Sequence, residues 1–243
     1  VMIDYAVEAG RKTDRLEVDA KEKGMYFINP DGSDREKPVQ VWTQGEPESS
    51  SRWFPTIDTP NEKFTQDFYL TVDDQYVTLS NGLLIDSKSE SPGTRTDHWR
   101  QSLPHSPYLA MIAVGPFVKV KGGEEEGVEL SYYVEPRFKA HAEAVFGRTP
   151  EMMRFFSRIF GVPFVWEKYA QIAVRDFVSG AMENTTATVH AEEVQQDSVA
   201  LLDGNSDGII AHELAHHWFG NLVTCEAWGQ LPLNESFANY AEY

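Results

Sequence analysis

The segment that most constrains the fold is His212–His216, which reads H-E-L-A-H. In an α-helix, residues four apart lie on the same face one turn apart, so the imidazoles of His212 and His216 can bind one metal ion. Glu213 lies about 100° further round the helix. Its carboxylate therefore lies beside the ion without pointing at it, which suits a general base acting on metal-activated water better than a ligand.

The residues around this segment also favour a helix. Ser206 or Asp207 can cap its amino end, and the pair Gly220-Asn221 can end it. Apolar residues recur at helical spacing and form a stripe: Ile210, Leu214 and Trp218. We interpret His217 and Trp218 as packing residues. The sequence thus predicts a helix that carries a metal on one face and packs on another.

A third metal ligand is predicted at Glu235. It opens a second helical pattern after an eighteen-residue gap, residues 217–234. A catalytic zinc uses three protein ligands and leaves a fourth position open to water. His212, His216 and Glu235 would make that set, for one Zn²⁺ per chain. Glu242 lies seven residues beyond Glu235 on the same helix face, where it either orients a histidine by accepting its ring proton or lies exposed.

These motifs resemble the gluzincin zinc aminopeptidases. H-E-L-A-H-H-W-F-G-N-L-V-T at residues 212–224 and L-N-E-S-F-A at residues 233–238 match this family, which contains aminopeptidase N and the bifunctional leukotriene epoxide hydrolase. G-A-M-E-N at residues 180–184 resembles the exopeptidase signature of the same family. The resemblance implies a hydrolase, a zinc-dependent metallopeptidase that removes amino-terminal residues from peptides with a free amino terminus.

The G-A-M-E-N segment is expected to bind substrate. An aminopeptidase needs a buried carboxylate for the substrate's α-ammonium group, whereas an endopeptidase does not. In the family, the glutamate of this signature holds the substrate's amino terminus, and here it is Glu183. The backbone of Gly180 and Ala181 is expected to pair with the substrate as an extended strand. Met182 and Asn184, the remaining residues of the motif, are assigned to substrate binding with them.

A second anchor for the amino terminus is expected at Glu46. Q-G-E-P at residues 44–47 resembles the family segment that supplies this anchor. A solvated surface carboxylate remains the alternative. If Glu46 does reach the site, the site lies at the junction of two domains, where pockets commonly form.

Two parts of the chain differ in pattern. Short alternating strands separated by turn clusters predict a mostly antiparallel β region, and Gly122–Gly127 reads as a linker. Beyond it, strands are followed by helices. We predict an α+β protein, with a β-rich amino-terminal domain at 1–121 and a catalytic domain at 122–243, which the resemblance implies is thermolysin-like. Both domains are expected to be partial, lacking both ends of the full-length protein.

The missing carboxy-terminal part matters for activity. In the family, residues downstream of the second helix supply a further domain and a tyrosine that hydrogen-bonds the oxyanion. Losing one such donor typically costs on the order of a hundred- to a thousand-fold in rate. The resemblance therefore predicts the activity of the full-length protein rather than that of this chain alone.

The amino-acid composition argues against two classes of binding partner. A net charge of −17 argues against nucleic acid and anionic membranes, because both attract basic patches. No apolar run reaches membrane-spanning length, and the single cysteine, Cys225, excludes an internal disulfide. The N-x-S/T sequons at Asn184 and Asn234 lie inside the site motifs and are interpreted as accidental. The compartment, cytoplasmic or periplasmic and secreted, stays open.

Three functional hypotheses follow. The first is a zinc aminopeptidase, and Glu183 favours it over an endopeptidase. The second is an epoxide hydrolase of the leukotriene type; Ala181, in a G-A rather than a G-G motif, argues against it. The third is a zinc-binding fragment without turnover that serves as a binding module. The preferred side chain at the substrate's amino terminus is not determined by the sequence.

Overall fold

The computed structural model describes residues 24–243, so the part of the predicted first domain that precedes residue 24 lies outside the described residues. The strands, in chain order, are β1 Met25–Ile28, β2 Gln40–Thr43, β3 Phe64–Asp73, β4 Val77–Ser80, β5 Leu83–Ser91, β6 Thr94–His105, β7 Ile112–Gly115, β8 Val118–Glu125, β9 Val128–Val134, β10 Lys168–Val174, β11 Ala181–Met182 and β12 Ala187–Ala191. The α-helices are α1 Ala142–Phe146, α2 Thr149–Phe160, α3 Ala200–Asp203, α4 Asp207–Ala215 and α5 Pro232–Ala241.

Two antiparallel sheets make up the first part of the molecule. One has the strand order β1-β2-β7-β4, and the other has the order β3-β6-β5. Short strands with β-branched and aromatic residues joined by tight turns favour this arrangement. Trp42 of β2 is fully buried at the centre, stacked on Tyr26 of β1. The predicted antiparallel β region is therefore present.

The second part contains a mixed five-stranded sheet with the order β11-β12-β10-β9-β8. Strand β10 runs parallel to both of its neighbours, while β8 and β11 are antiparallel edges. All seven residues of β10 are buried, as expected for a strand covered on both faces. With the helices that follow, this confirms the predicted α+β class.

The segment predicted as a linker, Gly122–Gly127, is instead a β-hairpin. Strand β8 pairs with β9 in a register that runs from Val118↔Val134 to Glu125↔Val128, with an irregularity between Lys121 and Gly123. Gly123 and Gly127 have φ values of 90° and 82°, so glycine here permits a bulge and a tight turn. The division of the chain between residues 121 and 122 stays a prediction.

Helix α4 starts where the sequence predicts and ends earlier. Ser206 occupies the N-cap position without a side-chain cap hydrogen bond, and the Asp207 carboxylate pairs with Arg148 instead. The helix ends at Ala215 rather than near Gly220, because Trp218 N–H bonds to Ala215 O three residues back, the spacing of a tighter turn.

The predicted apolar stripe is buried, but it divides between two cores. Ile210 packs with Val134 and Phe146, whereas Leu214 and Trp218 pack with Phe156 of α2. Helix α4 is thus wedged between the mixed sheet and α2. This burial on several sides leaves one face of α4 directed at α5 and at the end of β11.

Candidate active site

Two imidazoles and one carboxylate converge between α4 and α5. The Nε2 atoms of His212 and His216 are 3.0 Å apart. The Oε2 atom of Glu235 on α5 lies 3.5 Å from the first and 3.6 Å from the second. A tetrahedral zinc ion with ligands at about 2.0–2.2 Å separates its ligand atoms by about 3.3 Å. The three side chains therefore fit one zinc ion.

The hydrogen bonds of the two rings show which nitrogens are free. Nδ1 of His216 lies 2.9 Å from the carbonyl oxygen of Phe219. A carbonyl only accepts, so we assign the ring proton to Nδ1 and the lone pair to Nε2. Nδ1 of His212 lies 3.1 Å from Oε2 of Glu242, which leads to the same assignment. Two lone pairs directed at one another repel, so this arrangement suits a proton or a metal ion between them.

Glu213 lies beside this set with a free oxygen. It is 5% exposed, and its Oε2 has no hydrogen-bond partner among the described residues. Burial raises the pKa of the Glu213 carboxyl well above its ordinary value, opposed by His216 and reinforced by Glu183. One ligand atom each from Glu183, Glu213 and His216 falls within 4.8 Å of the others. Glu213 is therefore placed to accept a proton next to the metal position.

Glu183 and Glu46 add two more carboxylates. Oε1 of Glu183 is buried without a hydrogen-bond partner in the described chain and lies 4.0 Å from Nδ1 of His216. Glu46, Glu183 and Glu235 bring oxygens within 4.8 Å of one another. Burial raises the pKa of Glu183, and burial together with the Glu183 charge raises the pKa of Glu46 to about 8. Glu46 thus lies beside Glu183 and Glu235 rather than in bulk solvent, and its role as a second anchor stays a prediction.

Lysine and arginine side chains of the described residues do not balance these carboxylates. Among residues 24–243, no lysine or arginine forms an ion pair with Glu46, Glu183 or Glu213. Buried carboxylates without partners are costly unless a cation joins them. The carboxylates of the site therefore suit a positive charge that no lysine or arginine of residues 24–243 supplies.

The backbone of the G-A-M-E-N strand presents one residue to the open edge. The Gly180 carbonyl accepts a hydrogen bond from Ala191 N–H at 2.9 Å. Since antiparallel neighbours alternate between bonded and non-bonded positions, Ala181, opposite His190, turns its N–H and C=O away from β12. β11 is the edge of the sheet. Of the two residues expected to pair with a substrate, only Ala181 has its backbone groups directed outward.

The side chains of Met182 and Asn184 lie inside the protein. Met182 is 1% exposed, and its Sδ lies 3.3 Å from Nε2 of Gln44. Asn184 is fully buried and donates to the carbonyl of Leu109 at 3.3 Å. Asn234 is fully buried as well, so both asparagines of the accidental sequons are shielded from solvent. A direct substrate contact for Asn184 stays a prediction.

Sequence reasoning missed three polar residues that hold the site together. Asn234 donates to the hydroxyl of Tyr108 at 3.2 Å and accepts from Cys225 N–H at 3.1 Å, which fixes the start of α5 next to Glu235. Asn221 donates to the carbonyl of Glu183 at 2.8 Å. Asn221 and Asn234 stand inside the quoted motifs, whereas nothing in the sequence marks Tyr108.

Comparison with known proteins places the chain in a family. The model described as "Peptidase family M1 domain" matches residues 145–243, and "Peptidase M1 N-terminal domain" matches residues 15–109. The chain belongs to the M1 peptidase family. Members of this family are generally zinc-dependent metallopeptidases, in agreement with the residues that surround the metal position.

Curated relatives carry aminopeptidase names. The chain is 35% identical over 205 residues to glutamyl aminopeptidase of Bos taurus, covering 83% of this chain and 21% of the relative. It is 30% identical over 247 residues to endoplasmic reticulum aminopeptidase 1 of Mus musculus, covering 100% and 26%. The chain therefore spans about a quarter of the length of these relatives. No helix within residues 24–243 has the length and apolar character needed to cross a bilayer.

Proposed function

We propose that the protein carrying this chain is a zinc-dependent aminopeptidase that removes amino-terminal residues from peptides. The observation that carries the proposal is the position of Glu183. Its partnerless buried carboxylate lies 4.0 Å from a ring nitrogen of His216, beside the His212, His216 and Glu235 set. A substrate whose α-ammonium meets Glu183 places its first peptide bond next to the metal position.

The metal would supply Lewis acidity in this proposal. His212, His216 and Glu235 would hold a zinc ion, which would polarise the scissile carbonyl and acidify the attacking water. Glu213 accepts a proton from that water and delivers it to the leaving amine. Its buried oxygen without a partner supports this role, because an acceptor already engaged in a hydrogen bond would be a weaker base.

Two carboxylates bind the substrate's amino terminus. An α-ammonium group has three N–H donors, and Glu183 and Glu46 bring carboxylate oxygens within 4.8 Å of one another, close enough for one ammonium to donate to both. The charge of the ammonium also offsets the repulsion that raises the pKa of Glu46. An acetylated amino terminus carries no charge and one N–H, so it should not bind here.

The substrate main chain pairs with Ala181. An extended peptide that adds to the edge strand β11 receives main-chain hydrogen bonds that do not depend on side chains. Peptides of varied sequence are therefore the expected partners. The aminopeptidase names of the relatives support the substrate class, while the preferred first residue is left to experiment.

The test combines metal content with amine dependence in the full-length protein. We would measure zinc by mass spectrometry and the cleavage of amino-acyl arylamides, including glutamyl and leucyl forms, each also acetylated. Glu213→Gln removes the base, and Glu226→Gln is a matched control at an exposed loop position.

The expected result is about one zinc per chain, turnover only of free-amine substrates, and loss of turnover in Glu213→Gln alone. Equal cleavage of acetylated substrates would contradict the aminopeptidase proposal. Zinc without any turnover would favour the binding-module hypothesis, and hydrolysis of an epoxide substrate would favour the leukotriene-type alternative.

A further inference from the structure

Thr186 stands three residues after Glu183 and is fully buried. Its φ of 66° is uncommon for a β-branched residue, so neighbouring groups must hold it there. Its N–H donates to Nε2 of His217 at 3.1 Å, and its carbonyl accepts from Ala170 N–H at 2.9 Å and Lys168 Nζ at 3.2 Å. Its hydroxyl oxygen accepts from Gly82 N–H at 2.7 Å and Lys168 Nζ at 3.1 Å.

The contact with His217 joins Thr186 to the metal helix. Nδ1 of His217 lies 3.2 Å from the carbonyl of Glu213, which only accepts, so Nδ1 carries the proton and Nε2 is the acceptor for Thr186. His217 directly follows His216 and is 1% exposed. Thr186 is therefore linked through the ring of His217 to the backbone carbonyl of Glu213, the proposed base.

The turn between β4 and β5 holds Thr186 from the other side. Asn81 in this turn donates to the carbonyl of Thr185 at 2.7 Å, and Gly82 donates to the Thr186 hydroxyl. Nζ of Lys168 lies within hydrogen-bond distance of three acceptors: Ser80 O at 2.8 Å and the two oxygens of Thr186. All these groups are buried, so each lost hydrogen bond leaves a donor without a partner.

We propose that Thr186 is a positioning residue that holds Glu183 at a fixed distance from the metal helix, and that the β4–β5 turn of the first domain locks Thr186 in place. The inference rests on the proposed aminopeptidase function. Glu183 binds the ammonium in the substrate complex and in the transition state alike. Loosening Thr186 should therefore raise KM and leave kcat nearly unchanged.

The test uses three variants of the full-length protein. Thr186→Val keeps the shape of the side chain and removes the hydroxyl acceptor. Thr186→Ser restores that acceptor. Thr185→Val is the matched control, because the neighbouring hydroxyl of Thr185 is buried and has no hydrogen-bond partner among the described residues.

For a free-amine arylamide, Thr186→Val should raise KM about tenfold, with kcat within about twofold and zinc content unchanged. Thr186→Ser and Thr185→Val should stay within about twofold of wild type in both constants. In a Glu183→Gln background, Thr186→Val should add little, because the residue acts through Glu183. If Thr186→Val fails to fold, Lys168→Met tests the same contacts, because it removes the Nζ donor to the two oxygens of Thr186.

Separate outcomes overturn the two proposals. If wild type cleaves free-amine substrates but Thr186→Val behaves like Thr185→Val, the positioning role is wrong and the function stands. A fall in kcat at constant KM, or a full effect of Thr186→Val in the Glu183→Gln background, also contradicts positioning through Glu183. If wild type shows no dependence on a free amine, the proposed function fails and this inference fails with it.

Discussion

Glu242 and His212 face one another across α5 and α4, with Oε2 of the carboxylate 3.1 Å from Nδ1 of the ring. The carboxylate accepts the ring proton, so the lone pair of Nε2 points at the metal position. The Glu242 side chain is 26% exposed, so water screens the contact less than it would at a fully exposed position. Of the two sequence hypotheses for Glu242, the contact with a histidine is the one present.

Removing this contact should loosen the metal. We expect Glu242→Ala to weaken zinc binding by about ten- to a hundredfold, the usual effect of losing a carboxylate that orients a metal-binding histidine. Competition with a chromogenic chelator measures the affinity. Glu226→Ala, at an exposed position, is the control. Equal zinc affinity in the two variants would show that Glu242 plays no part in holding the metal.

Glu183→Gln should weaken substrate binding through the amino terminus. A charge-assisted hydrogen bond contributes about 1.5–3 kcal/mol, so KM for free-amine arylamides should rise roughly ten- to a hundredfold. Steady-state kinetics measures it, with Glu193→Gln as an exposed carboxylate control. If Glu46→Gln raises KM while Glu183→Gln does not, the anchor is Glu46 alone.

Asn81→Ala should destabilise the fold. Its amide donates to Leu109 O and Thr185 O and accepts from Met111 N–H and Gln66 Nε2, all buried. Leaving several of these groups unpaired should lower the free energy of unfolding by about 3 kcal/mol. Urea denaturation followed by circular dichroism measures the change.

The control for that prediction is Asn61→Ala, at an exposed position. It should change the free energy of unfolding by less than about 0.5 kcal/mol. An equally small effect of Asn81→Ala would mean that water or neighbouring groups replace the lost hydrogen bonds.

Two buried neutral histidines should each subtract from the stability of the fold in mild acid. Burial lowers the pKa of His105 and of His190 to about 3, against about 6.5 in an unfolded chain. The unfolded state therefore binds more protons between these values. The stabilising contribution is complete above about pH 6.5 and is lost progressively towards pH 3, by about 2 kcal/mol per histidine between pH 7 and pH 5.

His190→Gln tests this prediction. The amide can still donate to Gln171, which His190 contacts at 3.0 Å, but it does not titrate. The thermal stability of the variant should rise relative to that of wild type as the pH falls from 7 to 5, measured with chelator present so that metal loss does not contribute. His141→Gln, at a partly exposed position, should keep the wild-type slope. Parallel profiles for wild type and His190→Gln would contradict the assignment.

The closeness of His212 and His216 was predictable because their spacing is local. Four residues bring two imidazoles to one helix face whatever the rest of the fold does, and the structure places Nε2 of His212 and His216 3.0 Å apart. The position of Glu183 followed only from the family resemblance. Tyr108 was not predictable, since its contact with Asn234 spans 126 residues and depends on how the segment between β6 and β7 packs against α5.

The end of α4 and the glycine-rich segment show two other limits. Gly220 is a normal helix stop, but the ring of His216 bonds to the carbonyl of Phe219, and the chain turns before that glycine. Glycine and charge in Gly122–Gly127 fit a linker as well as a bulged hairpin. The composition of this segment does not distinguish the two structures, because the hairpin depends on pairing with β9, which lies outside the segment.

The pairing of β8 with β9 has a practical consequence for dividing the protein. A catalytic fragment that began at residue 122 would lose the first four residues of β8 and leave part of β9 without its partner strand. Unpaired N–H and C=O groups on an apolar strand recruit other chains. Such a fragment should aggregate more during expression than one that begins before Val118.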